Sequence, residues 1–299
     1  MSTVSPRAVV VMRPTEFELV VARHGTREQA SFFLRQSGRT LDELDARHQK
    51  RQRALEAVSA AVPLRWRRAR IDRADLSRFL FGPEDVVVVV GQDGLVANVA
   101  KYLRGQPVVG VNPDPSRNDG VLAPHPAEAT SDLLAAVARG RAKVEERTMV
   151  EARLDDGQRL LALNEVFVGH RTHQSARYRI THGATEEAHS SSGVIVATGT
   201  GATGWARSIT RQRAAPPALP SPEARALVFL VREPFPSVAT GTSLEAGTIA
   251  EGGTLSLRSE MDDAGSLFGD GIEDDRIPFG WGQRVELGVA PERLRLVRA

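Results

Sequence analysis

The chain of 299 residues has no cysteine, which excludes disulfides, thiolate zinc sites, iron–sulfur ligation and a cysteine nucleophile. Lysine is almost as scarce: Lys50, Lys101 and Lys143 are the only ones, and arginine supplies the remaining basic charge. None of the three follows a glycine, so the Gly-Lys-Ser/Thr end of a Walker A loop is missing, and with it a large class of NTPases. No apolar run approaches the ~20 residues of a membrane span. Met1 to Arg7 lack the charged, apolar and small-residue pattern of a secretory signal, so the expectation is a cytoplasmic protein with no membrane partner. A large net charge is also missing. Basic residues number 39 and acidic 37, leaving +2, so the pI of about 9.4 does not call for a nucleic-acid partner.

What is present is a normal globular balance, 41% hydrophobic and 25% charged. At ~150 residues per domain, the length suggests about two domains. The first third alternates strands and helices. Ala8–Met12 suits a buried strand, and Thr40-Leu41-Asp42-Glu43 reads as a capping box opening a helix that carries Leu44, His48, Leu55, Val58 and Val62. Leu64–Ile71 alternates as a strand, and the five valines Val86–Val90 suit a strand of a parallel sheet buried on both faces. Leu95–Leu103 reads as a helix and Val108–Val111 as the next strand. This order predicts a doubly wound α/β domain over 1–125. After a helix near Ala127–Ala142, Thr148–Leu154 and Arg159–Val168 read as a hairpin. Short strands follow at Arg177–Thr181, Gly193–Ala197, Ala226–Val231, Thr254–Ser259, Arg284–Val289 and Arg293–Val297. The expected second domain, 126–299, is β-rich and sandwich-like, with its end packing back on the first. Pro216, Pro217, Pro220 and Pro222 mark an irregular loop.

Three segments carry chemistry. Gly91-Gln92-Asp93-Gly94 follows the valine strand, at the end where open α/β sheets bind ligands. It reads either as a tight turn capped by Asp93 or as a site where Asp93 accepts a proton or holds Mg²⁺. Gly199-Thr200-Gly201-Ala202-Thr203-Gly204 also follows an apolar run. A Rossmann reading would need an acidic residue ~20 positions on, at the end of a strand. That stretch is the proline-rich loop, so a dehydrogenase is disfavoured, although hydroxyls at Thr198, Thr200 and Thr203 suit contacts to phosphate or ribose. Asn164-Glu165 sits inside the apolar run Leu160–Val168, where a polar pair implies either a site or a sheet edge. Weaker signals are His170 with His173, which could chelate a metal but in an exposed loop are more often solvated, and Arg65, Arg67, Arg68 and Arg70, which read as a nucleic-acid stripe or equally as a solvated strand face.

Together these motifs resemble the NAD kinase family, whose strand–GGDG–helix turn, Asn-Glu dipeptide and Thr-x-Thr-Gly-Ser-Thr loop correspond to Gly91–Gly94, Asn164-Glu165 and Thr198–Thr203. The likeness is closest to the mitochondrial-type branch, through Gly110–Pro115 (which includes Asn112), Ala162–Gly169, Ser191–Gly193, Thr198–Gly201 and Arg232–Pro234. The resemblance implies transfer of the ATP γ-phosphoryl group to the adenosine-ribose 2′-hydroxyl of NAD. Asp93 would be the base, and Asn164 and Glu165 would hold the adenosine of the acceptor. Gly91, Gln92, Gly94, Asn112, Thr198, Gly199, Thr200, Gly201 and Thr203 would bind nucleotide. The resemblance also implies Mg²⁺ and a homodimer or larger assembly, with Ser175, Arg177 and Tyr178 in the segment supplied across it. Gln92 stands where the family has its second glycine, and Leu95 where it usually has threonine. These departures motivate two alternatives: a nucleotide-binding homologue without catalysis, and a kinase of the same superfamily with another hydroxyl acceptor.

Overall fold

The computed structural model describes residues 5–299, which divide into two compact units. The first holds residues up to Glu145 together with Arg295–Ala299, and the second is Glu146–Leu294. The division falls beyond residue 125 because the helix after the fourth strand still packs on the first core.

In the first unit β1 (Arg7–Met12) leads through α1 (Glu16–His24), α2 (Arg27–Gln36) and α3 (Leu41–Ala61) to β2 (Arg67–Asp72). Then come β3 (Asp85–Val90), α4 (Asp93–Ala100), β4 (Pro107–Val111) and α5 (Thr130–Ala138). The complete capping box forms at Thr15 and Glu18, opening α1. At the expected box only the Thr40 side chain is seen to act, accepting from the Glu43 amide. Leu64 is 97% exposed and precedes β2 instead of starting it. The strands are parallel in the order β2-β1-β3-β4. Val86, Val88 and Val90 pack with Leu55 and Val58 of α3 and with Leu133 and Leu134 of α5. Val87 and Val89, equally buried, face the opposite side by the two-residue repeat of a strand. Chain direction across the sheet reverses between β1 and β3, so the carboxyl ends of those two strands flank the crevice where such sheets bind ligands.

The second unit is antiparallel. Its elements are β5 (Lys143–Leu154), β6 (Arg159–Ala162), β7 (Glu165–His170), β8 (Ala176–His182), β9 (Thr185–Ser191), β10 (Val194–Ala197) and α6 (Trp205–Thr210). They are followed by β11 (Ala226–Val231), β12 (Ala246–Ala250), β13 (Thr254–Ser259), β14 (Gly265–Gly269), β15 (Ile277–Pro278) and β16 (Arg284–Arg298). One sheet runs β12-β11-β10-β7-β14-β15. Facing it, β9, β8, β13 and the first half of β16 pair in sequence. Val166, Val194, Val196, Leu227 and Phe229 of the first layer close on Ile180, Leu255, Leu257, Val285 and Leu287 of the second, which makes a sandwich. The outer face of the six-stranded sheet is covered by α6, with Ala206 and Trp205 on Phe167 and Ile195. The two last expected strands are one, β16, and its end pairs with β4 through Arg295 and Leu296.

Candidate functional site

The expected strand Leu160–Val168 is broken where its polar pair lies. β6 ends at Ala162, β7 starts at Glu165, and the two belong to different sheets. Asp270 holds the break open. Its Oδ2 accepts from the Leu163 amide at 3.1 Å and its Oδ1 from the Asn164 amide at 2.6 Å. Its own amide donates to the Glu165 carbonyl at 3.0 Å. Asp270 adopts the left-handed region, φ 55°, immediately after β14. Thr198 grips the same backbone from the other side. Its hydroxyl donates to the Leu163 carbonyl at 2.6 Å and its amide to the Asn164 carbonyl at 2.9 Å.

All of these bonds use the backbone of 163–165, which leaves the Asn164 carboxamide and the Glu165 carboxyl for other roles. Both residues are half-buried. Burial, followed by the charge of Asp270, pushes the Glu165 carboxyl up to about 7. A carboxyl raised this far keeps its proton well above the ordinary range, so it can donate a hydrogen bond as well as accept one.

The glycine-rich loop is fastened to this pair. Thr198 Oγ1 accepts from the amides of Thr200 and Gly201, at 3.0 and 3.3 Å. A Cβ at Gly201 would overlap the Asn164 carbonyl, and one at Gly199 would overlap Ser221, so each glycine is required by close backbone approach. The amides of Ala202, Thr203 and Gly204 donate to the carbonyls of Thr198, Thr200 and Gly201. The amides of 200–204 are thus engaged inside the loop, Thr198 and Thr200 are buried, and the exposed Thr203 donates its hydroxyl proton to the Thr200 carbonyl at 3.0 Å, so that its oxygen is left to accept. Arg147, 3% exposed, donates from Nη1 to Thr200 Oγ1 at 3.3 Å, which turns the Thr200 hydroxyl proton away from the arginine.

In the first unit Asp93 opens α4 directly after β3. Its Oδ1 accepts from Leu122 and Ala123 at 2.9 and 3.0 Å, and its Oδ2 accepts from Val121 at 3.0 Å. Three consecutive amides therefore fix the carboxylate, while Oδ2 keeps a second acceptor position. Loop 120–123 lies against Gly110, where a Cβ would overlap the Leu122 carbonyl. Asn112 serves the same loop region, donating to the Asn118 carbonyl at 3.1 Å and accepting from the Asp114 amide at 3.0 Å. Gln92 is exposed and spans two segments. Its Oε1 accepts from Arg13 Nη2 at 2.9 Å and its Nε2 donates to Asn118 Oδ1 at 2.8 Å. Gly91 donates to the Val111 carbonyl at 3.0 Å, and Gly94 has open space where a Cβ would stand.

Tyr178 lies apart from the solvent-facing side of its strand. It is fully buried in the sandwich core, its hydroxyl meets Ser191 Oγ at 2.7 Å, and burial pushes its phenol above the ordinary value. The period of β8 explains this, since Ala176, Tyr178 and Ile180 point inward and Arg177 and Arg179 outward. His170 Nδ1 accepts from the Thr172 amide at 3.1 Å, and no cluster of three metal-ligating side chains occurs among the described residues. Arg67 and Arg68 each donate to nearby backbone carbonyls. Sequence reasoning missed Asp270 and Arg147. The one signal for Asp270 was an Asp-Gly after an apolar run, which reads as an ordinary turn.

An α/β unit joined in sequence to an antiparallel sandwich, with these motifs at strand ends, is an NAD kinase-like fold. Among solved structures it is similar to the crystal structure of yeast NADH kinase complexed with NADH. That match has a TM-score of 0.60 and 15% identity, and covers 99% of this chain and 84% of the other. No protein-family model and no curated protein sequence matches the chain.

Proposed function

We propose that the protein is a NAD kinase-type phosphotransferase that moves the ATP γ-phosphoryl group to the adenosine-ribose 2′-hydroxyl of NAD, giving NADP. The observation that carries this reading is the joint fastening of the Asn164-Glu165 pair and the glycine-rich loop by Thr198. It leaves the Asn164 carboxamide, an acid able to donate or accept, and the Thr203 hydroxyl oxygen around one backbone knot, a donor and acceptor set suited to an adenosine. Phosphoryl transfer passes through a loose transition state, so positioning and charge neutralisation outweigh full proton removal. Asp93 fits that demand, because its amide-held carboxylate is fixed in orientation and Oδ2 can still accept a hydroxyl proton.

Mg²⁺ belongs to this proposal as an ion carried on the ATP phosphates. Such ions usually keep waters and phosphate oxygens and take only one or two carboxylates, and no three-residue cage occurs among the described residues. A homodimeric assembly is likewise proposed from the resemblance alone. The test is NADP formation by the purified protein with ATP, Mg²⁺ and either NAD or NADH. Turnover lost in Glu165→Ala and Asp93→Asn supports the reading. Saturable NAD binding without phosphoryl transfer from ATP would overturn it in favour of a non-catalytic nucleotide binder.

A further inference from the structure

Arg51 of α3 is 9% exposed, and its Nε has no hydrogen-bond partner among the described residues. Two neighbouring contacts locate it near the end of β1. Thr15 Oγ1 meets His48 Nδ1 at 3.0 Å, and Phe17 stacks on His48 with ring centres 5.0 Å apart. His48 lies one helical turn before Arg51, on the same face of α3. On β2, Arg70 pairs in register with Val10, and its Nε lies 2.9 Å from Met12 Sδ. Arg13 follows β1 directly and is held by the Gln92 side chain at 2.9 Å. Arg13 and Arg70 both act electrostatically on Arg51, so three guanidiniums share the region of the carboxyl end of β1, beside the crevice that β1 and β3 define.

The charges around Arg51 are unbalanced. Burial pulls its guanidinium below the ordinary value; Glu18 and Asp72 oppose this, while Arg13 and Arg70 add to it. Both carboxylates already have other work. Glu18 accepts from the Thr15 amide and hydroxyl at 2.6 and 2.9 Å, and Asp72 accepts from the Ala74 amide at 2.9 Å. His48 adds no anion, and Lys50 is paired with Asp114 at 3.0 Å. A buried guanidinium without a matched anion is costly, and two further cations beside it increase the cost. A multiply charged anion would remove it, and planar guanidinium forks match phosphate oxygens bidentately.

We propose that Arg13, Arg51 and Arg70 form a binding site for a phosphoanhydride chain, with Gln92 as the residue that positions Arg13 in it. The site stands whether or not the chain transfers a phosphoryl group. The phosphates can belong to a nucleotide or to a free polyphosphate, so ATP and inorganic tripolyphosphate are the two probes. Each is titrated calorimetrically into the full chain, and the thermal midpoint is read with and without it. Both should bind and raise the midpoint; tighter binding of ATP assigns the site to a nucleotide, equal binding to the phosphate chain alone.

Arg51→Met should weaken tripolyphosphate by about tenfold or more, the loss expected for a charge-assisted hydrogen bond. Without anion the same variant should unfold at a higher temperature than the parent, a signature that a merely structural arginine would not give. Arg70→Gln, at an exposed position, guards against a folding defect in Arg51→Met and should weaken both probes severalfold. Unchanged affinity for both probes in the two variants overturns the proposal, as does failure of the parent to bind either. The Asp93→Asn variant should retain anion binding, so loss of turnover there leaves this site intact.

Discussion

Replacing Asp93 by Asn tests whether three amides define that carboxylate. An asparagine has one carbonyl oxygen. Set where Oδ1 lies, it keeps the bonds from Leu122 and Ala123 without formal charge, and turns its NH₂ toward the Val121 amide. A hydrogen bond to a charged group contributes about 1.5–3 kcal/mol and a neutral one about 1 kcal/mol. One lost and two weakened bonds come to about 3–5 kcal/mol. Val121 is 43% exposed and can turn its amide to water, which lowers the expectation to about 2–4 kcal/mol. At roughly 2–4 °C per kcal/mol for chains of this order, the midpoint should fall by roughly 5–15 °C. Thermal unfolding followed by circular dichroism measures it, and hydrogen exchange should show lost protection at Leu122 and Ala123. A midpoint within about 1 °C of the parent, with both amides still protected, would refute the anchoring role. Under the proposed function NADP formation should also fall by about 10²–10⁴, and it has to be measured well below the variant's midpoint.

Glu165→Gln should abolish a pH dependence. The folded carboxyl titrates near 7 against 4.5 ordinarily, so its destabilising effect is absent below 4.5, grows as pH rises and is complete above 7. The variant should therefore gain up to about 3 kcal/mol over the parent at pH 8 and little at pH 4.5, by denaturant titration; equal stability at both would sink the assignment. Glu187 has the opposite sign. Burial acts to raise it, yet the Leu244 and Ser243 amides and His189 hold it down to about 2. Its contribution is present above 4.5 and lost as pH falls through 2, so Glu187→Gln should cost about 2 kcal/mol at pH 7 and progressively less as pH falls from 4.5 to below 2. Gly201→Ala drives a methyl into the Asn164 carbonyl and should cost about 1–3 kcal/mol or more, and under the proposed function it should lower NAD affinity as well. Gly94→Ala meets open space within α4 and should gain about 0.5–1 kcal/mol, so any loss of ATP affinity there reports backbone approach by the ligand.

Where one period governed a segment, the sequence was informative. The valine run predicted a doubly buried strand because parallel sheets bury both faces, and β3 is buried throughout. Asn164 and Glu165 were legible as anomalies in an apolar run, but the break between two sheets was not, since its cause is a carboxylate more than a hundred residues away. For Tyr178 the resemblance gave a position and not the face of the strand it lies on, and alternation in β8 turns it inward. The fastening of loop 198–204 was invisible because its amides find their partners, the Thr198 hydroxyl and three loop carbonyls, only once the loop has folded. Arg51 gave no signal at all, because an arginine on a charged helix reads as solvated until its neighbours are known.

The Thr198 knot has a consequence for anyone redesigning this protein. One hydroxyl donates to the 163 carbonyl and accepts from the 200 and 201 amides, so the dipeptide and the loop behave as a single module. A loop transplanted from a relative without its matching strand break would arrive with donors and acceptors out of register. Grafts of this region should therefore carry residues 162–165, 198–204 and Asp270 together, and double-mutant cycles between them should be strongly non-additive.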